Sequence, residues 1–306
     1  MKQDEGQGGG AERWSQPQYN STLGVLVQSS SISMSEQLGK ALRFRALHEG
    51  PGVFIIPNPW DVASAQLLTG LGFQALATSS AAAACTVGKR DGMLTREEAL
   101  EHAHAIVSAT DVPVSADLEN GFGDAPESVA ETVRRAASAG LVGCTIEDAT
   151  RRSESPLYDF QHAVERVAAG AEAARKLGFP FMLTARAHGL LFPNSSLEET
   201  IARLQAFERA GADVLFAPGL PDIAAVRKVC AAVSKPFNFM VGIKGMSFSV
   251  ADLSAAGVKR ISLATSLYRA AMTAFLEAAR EVKEQGTFGF LDRSVSTADL
   301  HSLMRV

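Results

Sequence analysis

Gly140-Leu141-Val142-Gly143-Cys144-Thr145-Ile146-Glu147-Asp148 condenses the organisation of the chain into one short run. A glycine closes a helix by taking the left-handed position that other residues avoid, a short aliphatic run follows as a strand, and acids stand directly after it. The same order recurs at Gly72 before Gln74-Ala75-Leu76-Ala77-Thr78, at Gly178 before Phe181-Met182-Leu183, at Gly211 before Val214-Leu215-Phe216 and at Gly257 before Ile261-Ser262-Leu263. Proline marks two further junctions, ahead of Val114-Ser115-Ala116 and Phe237-Asn238-Phe239, and Val53-Phe54-Ile55-Ile56 completes a set of eight strands. Gly140, Gly178 and Gly211 follow one another at 38 and 33 residues, the length of one strand-helix unit. Thr95-Arg96-Glu97-Glu98 and Ser196-Leu197-Glu198-Glu199 read as capping boxes at helix starts, and Leu197, Ile201, Leu204 and Phe207 share one helical face. Eight such units in series predict an α/β fold of the (β/α)8 TIM-barrel type, the alternative being a doubly wound open sheet.

The chain has 306 residues, 46% of them hydrophobic and 20% charged, enough apolar material for one barrel core. Residues 1–33, rich in Gly, Gln and Ser, read as a disordered or non-native tail, and 34–306 as a single barrel domain opened by a helix over Gln37 to Glu49. With 29 Lys and Arg against 33 Asp and Glu, the net charge is −4. No basic surplus is available for nucleic acid or an anionic membrane. No apolar run reaches the roughly 20 residues of a membrane span. Cys85, Cys144 and Cys230 never fall in CxxC spacing and read as small buried apolar residues of a cytoplasmic protein.

A barrel places its chemistry at the carboxyl ends of its strands. There this sequence is acidic: Asp91 follows the second strand, Asp117 and Glu119 the third, Glu147 and Asp148 the fourth, and Arg186 ends the fifth. Carboxylates gathered this closely repel one another, and a divalent cation held through oxygen is the natural compensation, which favours Mg2+ or Mn2+. Zinc is disfavoured, because only His188 lies at a strand end while His102, His104 and His162 fall in helices as solvated surface residues. Any single acid after a strand could instead cap a helix, and Arg186 alone could be an ion-pair partner, but a guanidinium at a strand mouth also suits a bidentate grip on a carboxylate.

Together, Pro57-Asn58-Pro59-Trp60-Asp61 with Ser64-Ala65, Ser79-Ser80 followed by Gly88-Lys89-Arg90-Asp91, Asp117-Leu118-Glu119-Asn120-Gly121-Phe122-Gly123, Ile146-Glu147-Asp148 and Thr184-Ala185-Arg186 resemble the isocitrate lyase / phosphoenolpyruvate mutase superfamily, from about Gln37 to Lys283. The resemblance implies a Mg2+-dependent barrel that makes or breaks C–C or P–C bonds of 2-oxo or 2-hydroxy acids through an enolate. It also implies a homo-oligomer, dimer or tetramer, whose C-terminal helix is swapped between subunits. Carried over residue by residue, Asp91, Asp117, Glu119 and Glu147 form the metal shell, directly or through water. Arg186 clamps the substrate carboxylate and enolate, Ser79 and Ser80 cradle its other end, Asp91 adds a polar contact, and Asn238 is a further substrate contact.

The departures narrow the chemistry. The superfamily's C–C lyases carry a Lys-Lys-Cys-Gly-His type loop after the Glu-Asp pair, whereas Ala149-Thr150-Arg151-Arg152-Ser153-Glu154-Ser155-Pro156-Leu157-Tyr158-Asp159 has neither cysteine nor histidine. The mutase's Lys-Thr-Asn loop is absent too, and Ala217-Pro218-Gly219 stands where its phosphoryl-handling histidine belongs. Decarboxylation of an oxaloacetate-like 2-oxo acid asks least of a loop acid. Cleavage of a substituted malate, with Glu154 or Tyr158 as proton donor, is the variant reading. An isocitrate or methylisocitrate lyase, a phosphonopyruvate enzyme and a catalytically degenerate 2-oxo acid binder are the alternatives.

Overall fold

The computed structural model describes residues 33–193, 195–246 and 248–304. The strands are β1 (Phe54–Ile56), β2 (Leu76–Ala77), β3 (Val114–Asp117), β4 (Gly143–Glu147), β5 (Ala149–Arg152), β6 (Ser155–Leu157), β7 (Met182–Arg186), β8 (Val214–Phe216), β9 (Phe237–Met240) and β10 (Arg260–Ser262). Eight of them form one parallel sheet in the order β1-β10-β9-β8-β7-β4-β3-β2. The two ends of that order meet, because the Ala77 amide donates to the Pro57 carbonyl at 3.1 Å. The sheet is therefore a nearly closed barrel, and the open-sheet alternative falls. Each crossover runs through a helix, and at Gly72, Gly140, Gly178, Gly211 and Gly257 φ is positive, between 76° and 105°.

Alternate residues of each strand face inward. At the amino-terminal end the interior is apolar: Ile56, Ala75, Val142, Met182 and Val214 pack together, and Ala41 and Phe44 of the helix Met34–Glu49 close the floor from below. Ser33 caps that helix through a reciprocal capping box with Glu36, so the helix begins at Met34, three residues before Gln37. The tail expected over residues 1–33 otherwise lies outside the described residues. Between barrel and outer helices runs the larger core, with Leu118, Ile146, Leu183, Leu204 and Phe207 buried and Leu197 and Ile201 packed against it.

Four sequence expectations change. The Thr95 box forms as read, but at Ser196 only half does: the hydroxyl accepts from the Glu199 amide, while the Glu199 carboxylate turns to Arg203. The segment after Glu147 is an antiparallel hairpin, β5 with β6, rather than an irregular loop. Cys144 is buried, but Cys230 is only half-buried and Cys85 is exposed, so burial does not hold for all three. His102, His104 and His162 are half-buried, not freely solvated, each with a ring nitrogen against a backbone carbonyl.

Candidate active site

Beneath the carboxyl ends of the strands lies a cavity of about 200 Å3. Ser79, Ser80, Asp91, Asp117, Arg186 and Asn238 line it, as the sequence reading expected. Thr78, Ser115, Thr145, Ser262 and Arg260 line it too, and none of these was expected. Barrel interiors are normally filled by branched apolar side chains. Here small hydroxyls take those places and leave a polar hollow.

Ser79 caps the helix Ser80–Thr86, which turns Ser80 toward the acids. The Ser80 hydroxyl lies 2.9 Å from Asp91 Oδ1 and 3.1 Å from Asp117 Oδ2, and its amide donates to Asp117 at 3.3 Å. Burial pushes the Asp117 carboxyl above its ordinary value; Arg186 opposes this and the charges of Glu147 and Asp91 add to it. Glu147, last residue of β4, is also desolvated, but Arg186 Nη1 at 3.2 Å and His188 Nδ1 at 3.3 Å outweigh that and hold its carboxyl low. Arg186 ends β7, its guanidinium 5.0 Å from the centre of the Phe216 ring and its Nε buried without a hydrogen-bond partner.

Glu119 occupies a strained turn. Its φ is +54° and that of Phe122 is +58°, a conformation costing about 1–2 kcal/mol for a residue with a side chain. Arg166, fully buried, ties the turn down: it donates to the carbonyls of Asn120, Gly123 and Asp124. Thr132 adds a bond to the Gly121 carbonyl at 2.8 Å. So held, both carboxylate oxygens of Glu119 are buried, without hydrogen-bond partners among the described residues, and Arg151 reaches in from the hairpin to pair with Oε2. Arg151 itself has φ +65° and donates to the Gly92 carbonyl at 2.8 Å.

Divalent metal suits these residues chemically, since all donors are oxygens and Glu119 is a buried carboxylate lacking hydrogen bonds. The shell is not preassembled. Among the described residues, no three or more His, Cys, Asp or Glu side chains are grouped closely enough to hold an ion; Ser80 keeps Asp91 with Asp117, whereas Arg151 draws Glu119 and Arg186 draws Glu147.

Four expected residues are not among those lining the cavity: Glu119 and Glu147, described above, and Glu154 and Tyr158. Glu154 is exposed at the hairpin turn, beside the Ser153 hydroxyl. Tyr158 is buried, its hydroxyl donating to Asp124 at 2.6 Å and accepting from Asn120 at 3.0 Å, with Arg166 against its ring. Neither lines the cavity. Asp148 is also taken up structurally, accepting from the His188 amide at 2.7 Å and pairing with Arg203 at 3.2 Å.

Residues 44–283 match the family model described as phosphoenolpyruvate phosphomutase. The chain belongs to that family. Within the isocitrate lyase / phosphoenolpyruvate mutase superfamily, it is 49% identical to a protein of Burkholderia cenocepacia J2315 described only as a lyase/mutase, covering 89% of this chain and 98% of that one with a TM-score of 0.87. It is 31% identical to the oxaloacetate decarboxylase of Paraburkholderia xenovorans LB400 over 79% of this chain and 81% of the relative. To the 2-methylisocitrate lyase of Escherichia coli K12 it is 28% identical, over 81% and 86%. Family members thus include lyases acting on small carboxylic acids. Arg151 and Arg260 escaped the sequence reading because neither stands directly after a strand: one sits in a hairpin and the other begins its strand.

Proposed function

We propose that this protein is a Mg2+-dependent carbon–carbon lyase that decarboxylates an oxaloacetate-like 2-oxo acid through an enolate. The observation that carries this reading is the composition of the cavity wall. It has two guanidinium groups, two carboxylates and many hydroxyls, but among the described residues no cysteine, histidine or tyrosine that could act as a positioned acid. Decarboxylation needs none. The C3–C4 bond breaks, its electron pair passes to the C2 carbonyl oxygen as CO2 leaves, and water delivers the proton to C3. Cleavage of a substituted malate or of methylisocitrate requires a proton donor at the departing carbon, and neither Glu154 nor Tyr158 stands where it could serve.

Arg186 is the residue for the charge that develops: its fork grips the C1 carboxylate and its donors face the growing enolate oxygen. Glu147 and Phe216 fix its plane. Ser79 and Ser80 supply hydroxyl and amide contacts to the substrate, and Asn238 lines the wall beside them. Asp91, Asp117, Glu119 and Glu147 would hold Mg2+, directly or through water and with Mn2+ as a substitute, once Arg151 releases Glu119, Glu147 keeping one carboxylate oxygen on Arg186. Bound there, the ion supplies positive charge that stabilises the oxyanion. The protein works as a homo-oligomer, and its free cysteines suit a reducing compartment such as the cytoplasm.

The test is release of pyruvate or another 2-oxo acid, followed by a coupled reductase, from oxaloacetate, isocitrate, methylisocitrate, substituted malates and phosphonopyruvate. Oxaloacetate with Mg2+ should turn over fastest. EDTA should abolish turnover and lower Tm, since the native state loses a ligand that the unfolded chain does not bind. Turnover surviving exhaustive chelation would remove the metal from the reading, turnover of a malate in preference to oxaloacetate would replace the reaction, and tight binding without any turnover would leave a 2-oxo acid binder.

A further inference from the structure

Arg260, the first residue of β10, is a charged side chain sealed inside the barrel. It is 4% exposed. Its Nε donates to Asn238 Oδ1 at 2.8 Å, its Nη2 to Thr184 Oγ1 at 3.0 Å, and its Nη1 lies 3.4 Å from His48 Nε2. All three partners are neutral, His48 because burial, reinforced by the Arg260 charge, lowers its pKa to about 3. Among the described residues no carboxylate pairs with Arg260, and burial pulls even its guanidinium down to about 9. An unpaired buried charge costs several kcal/mol, and an apolar side chain of similar volume would fill the same space at less cost. A mere strut between floor and wall has no use for it.

Arg260 lines the same cavity as Arg186, Asp91 and Asp117. Register explains how: Arg186 pairs with Phe216, Phe216 with Asn238, and Asn238 with Arg260, so one inward-facing row joins the end of β7 to the start of β10. From there the guanidinium reaches Thr184, two residues before Arg186 on β7. Two residues along a strand correspond to about 7 Å, so one cation lies a layer below the other. The cavity wall they share includes hydroxyl and amide groups from Ser115, Thr145, Asn238 and Ser262.

We propose that the lower part of the cavity is an anion subsite, where Arg260 receives the second carboxylate of a dicarboxylic substrate whose first carboxylate meets Arg186. The proposal rests on the reading of the upper site as a carboxylate pocket and adds to it a determinant of specificity: diacids in preference to monoacids. The acids near the rim cannot provide this discrimination, since they repel any carboxylate. A guanidinium held 4% exposed in a polar hollow attracts one strongly.

Calorimetric titration of the full-length protein with Mg2+, using oxalate, succinate and butyrate, tests this. Butyrate is succinate with one carboxylate replaced by methyl, and oxalate is too short to span both cations. In the wild type, succinate should bind on the order of tenfold or more tighter than butyrate, the worth of one charge-assisted contact. Arg260→Met should erase that difference and leave oxalate affinity within about twofold. Equal affinity of the wild type for succinate and butyrate overturns the proposal without any variant, so a misfolded Arg260→Met would not shield it. Parallel weakening of oxalate and succinate in a folded Arg260→Met protein also overturns it and makes Arg260 a strut. Failure of oxalate to bind the wild type, by contrast, brings down the upper-site reading first, and the subsite with it.

Discussion

Arg186 is held as a preorganised group. Its guanidinium lies between Glu147, 3.2 Å away, and the Phe216 ring, while its Nε is buried with no protein acceptor. A buried donor without a partner is unfavourable in the free protein and is satisfied when an anion arrives. Lysine keeps the charge but loses the planar fork and its fixed direction. Arg186→Lys should therefore lower kcat/KM by about 10²-fold, in the range of removing one preorganised donor, while Tm moves little. An unchanged kcat/KM with lowered Tm would reduce Arg186 to an ion-pair residue holding Glu147.

At the scale of elements, the helix Met34–Glu49 closes the barrel floor and carries a buried histidine. Its last turn carries His48, 4% exposed, with Nδ1 donating to the Phe44 carbonyl at 2.8 Å and Nε2 facing Arg260. Protonation would add a second cation beside Arg260 with Lys259 nearby, so the folded state keeps the ring neutral down to about pH 3. The unfolded chain takes up that proton near 6.5. Because the folded pKa is the lower one, the stability is fully present above about 6.5 and is lost as pH falls from there toward 3, at up to about 1.4 kcal/mol per unit. Between pH 7.5 and pH 5 the wild type should lose about 2 kcal/mol more than His48→Gln, read from urea midpoints. Parallel losses in the two proteins would exclude His48 as the source.

Elements also show what a linear sequence discloses. Strands and acids were legible because a glycine stop, an aliphatic run and the acid after it are local signals, and Asp91, Asp117 and Glu147 all stand at the rim. Inward-facing partners were not legible, because they depend on register: nothing near Arg260 in the chain says that it meets Thr184, 76 positions away. Tyr158 failed as a candidate for a similar reason. Its place in the segment after Glu147 suggested the cavity, but Asn120 and Asp124 on the turn after β3 claim its hydroxyl.

At the scale of the molecule, the C-terminal segment lies on the barrel without completing it. The helix Ser266–Gln285 has no buried residue, and Phe275, Leu276, Phe288, Leu291 and Val295 are exposed, Phe275 at 62%. Beyond it the helix Thr297–Leu303 returns to the helix Val62–Gly70, so closely that a Cβ at Gly70 would stand 2.2 Å from the Leu303 carbonyl oxygen. The segment thus exposes several large apolar side chains of the sort that associate in water. A second copy of the chain is the occupant proposed for it, and a symmetric pair would present the same face twice. Light scattering coupled to gel filtration should give a dimer or tetramer for the wild type and a smaller species for Phe275→Glu/Leu276→Glu, because charges introduced at an apolar interface stay desolvated and unpaired. Since both side chains are exposed, the barrel should retain its far-UV signal. A monomeric wild type, or a double variant of unchanged mass, would exclude this face as the interface.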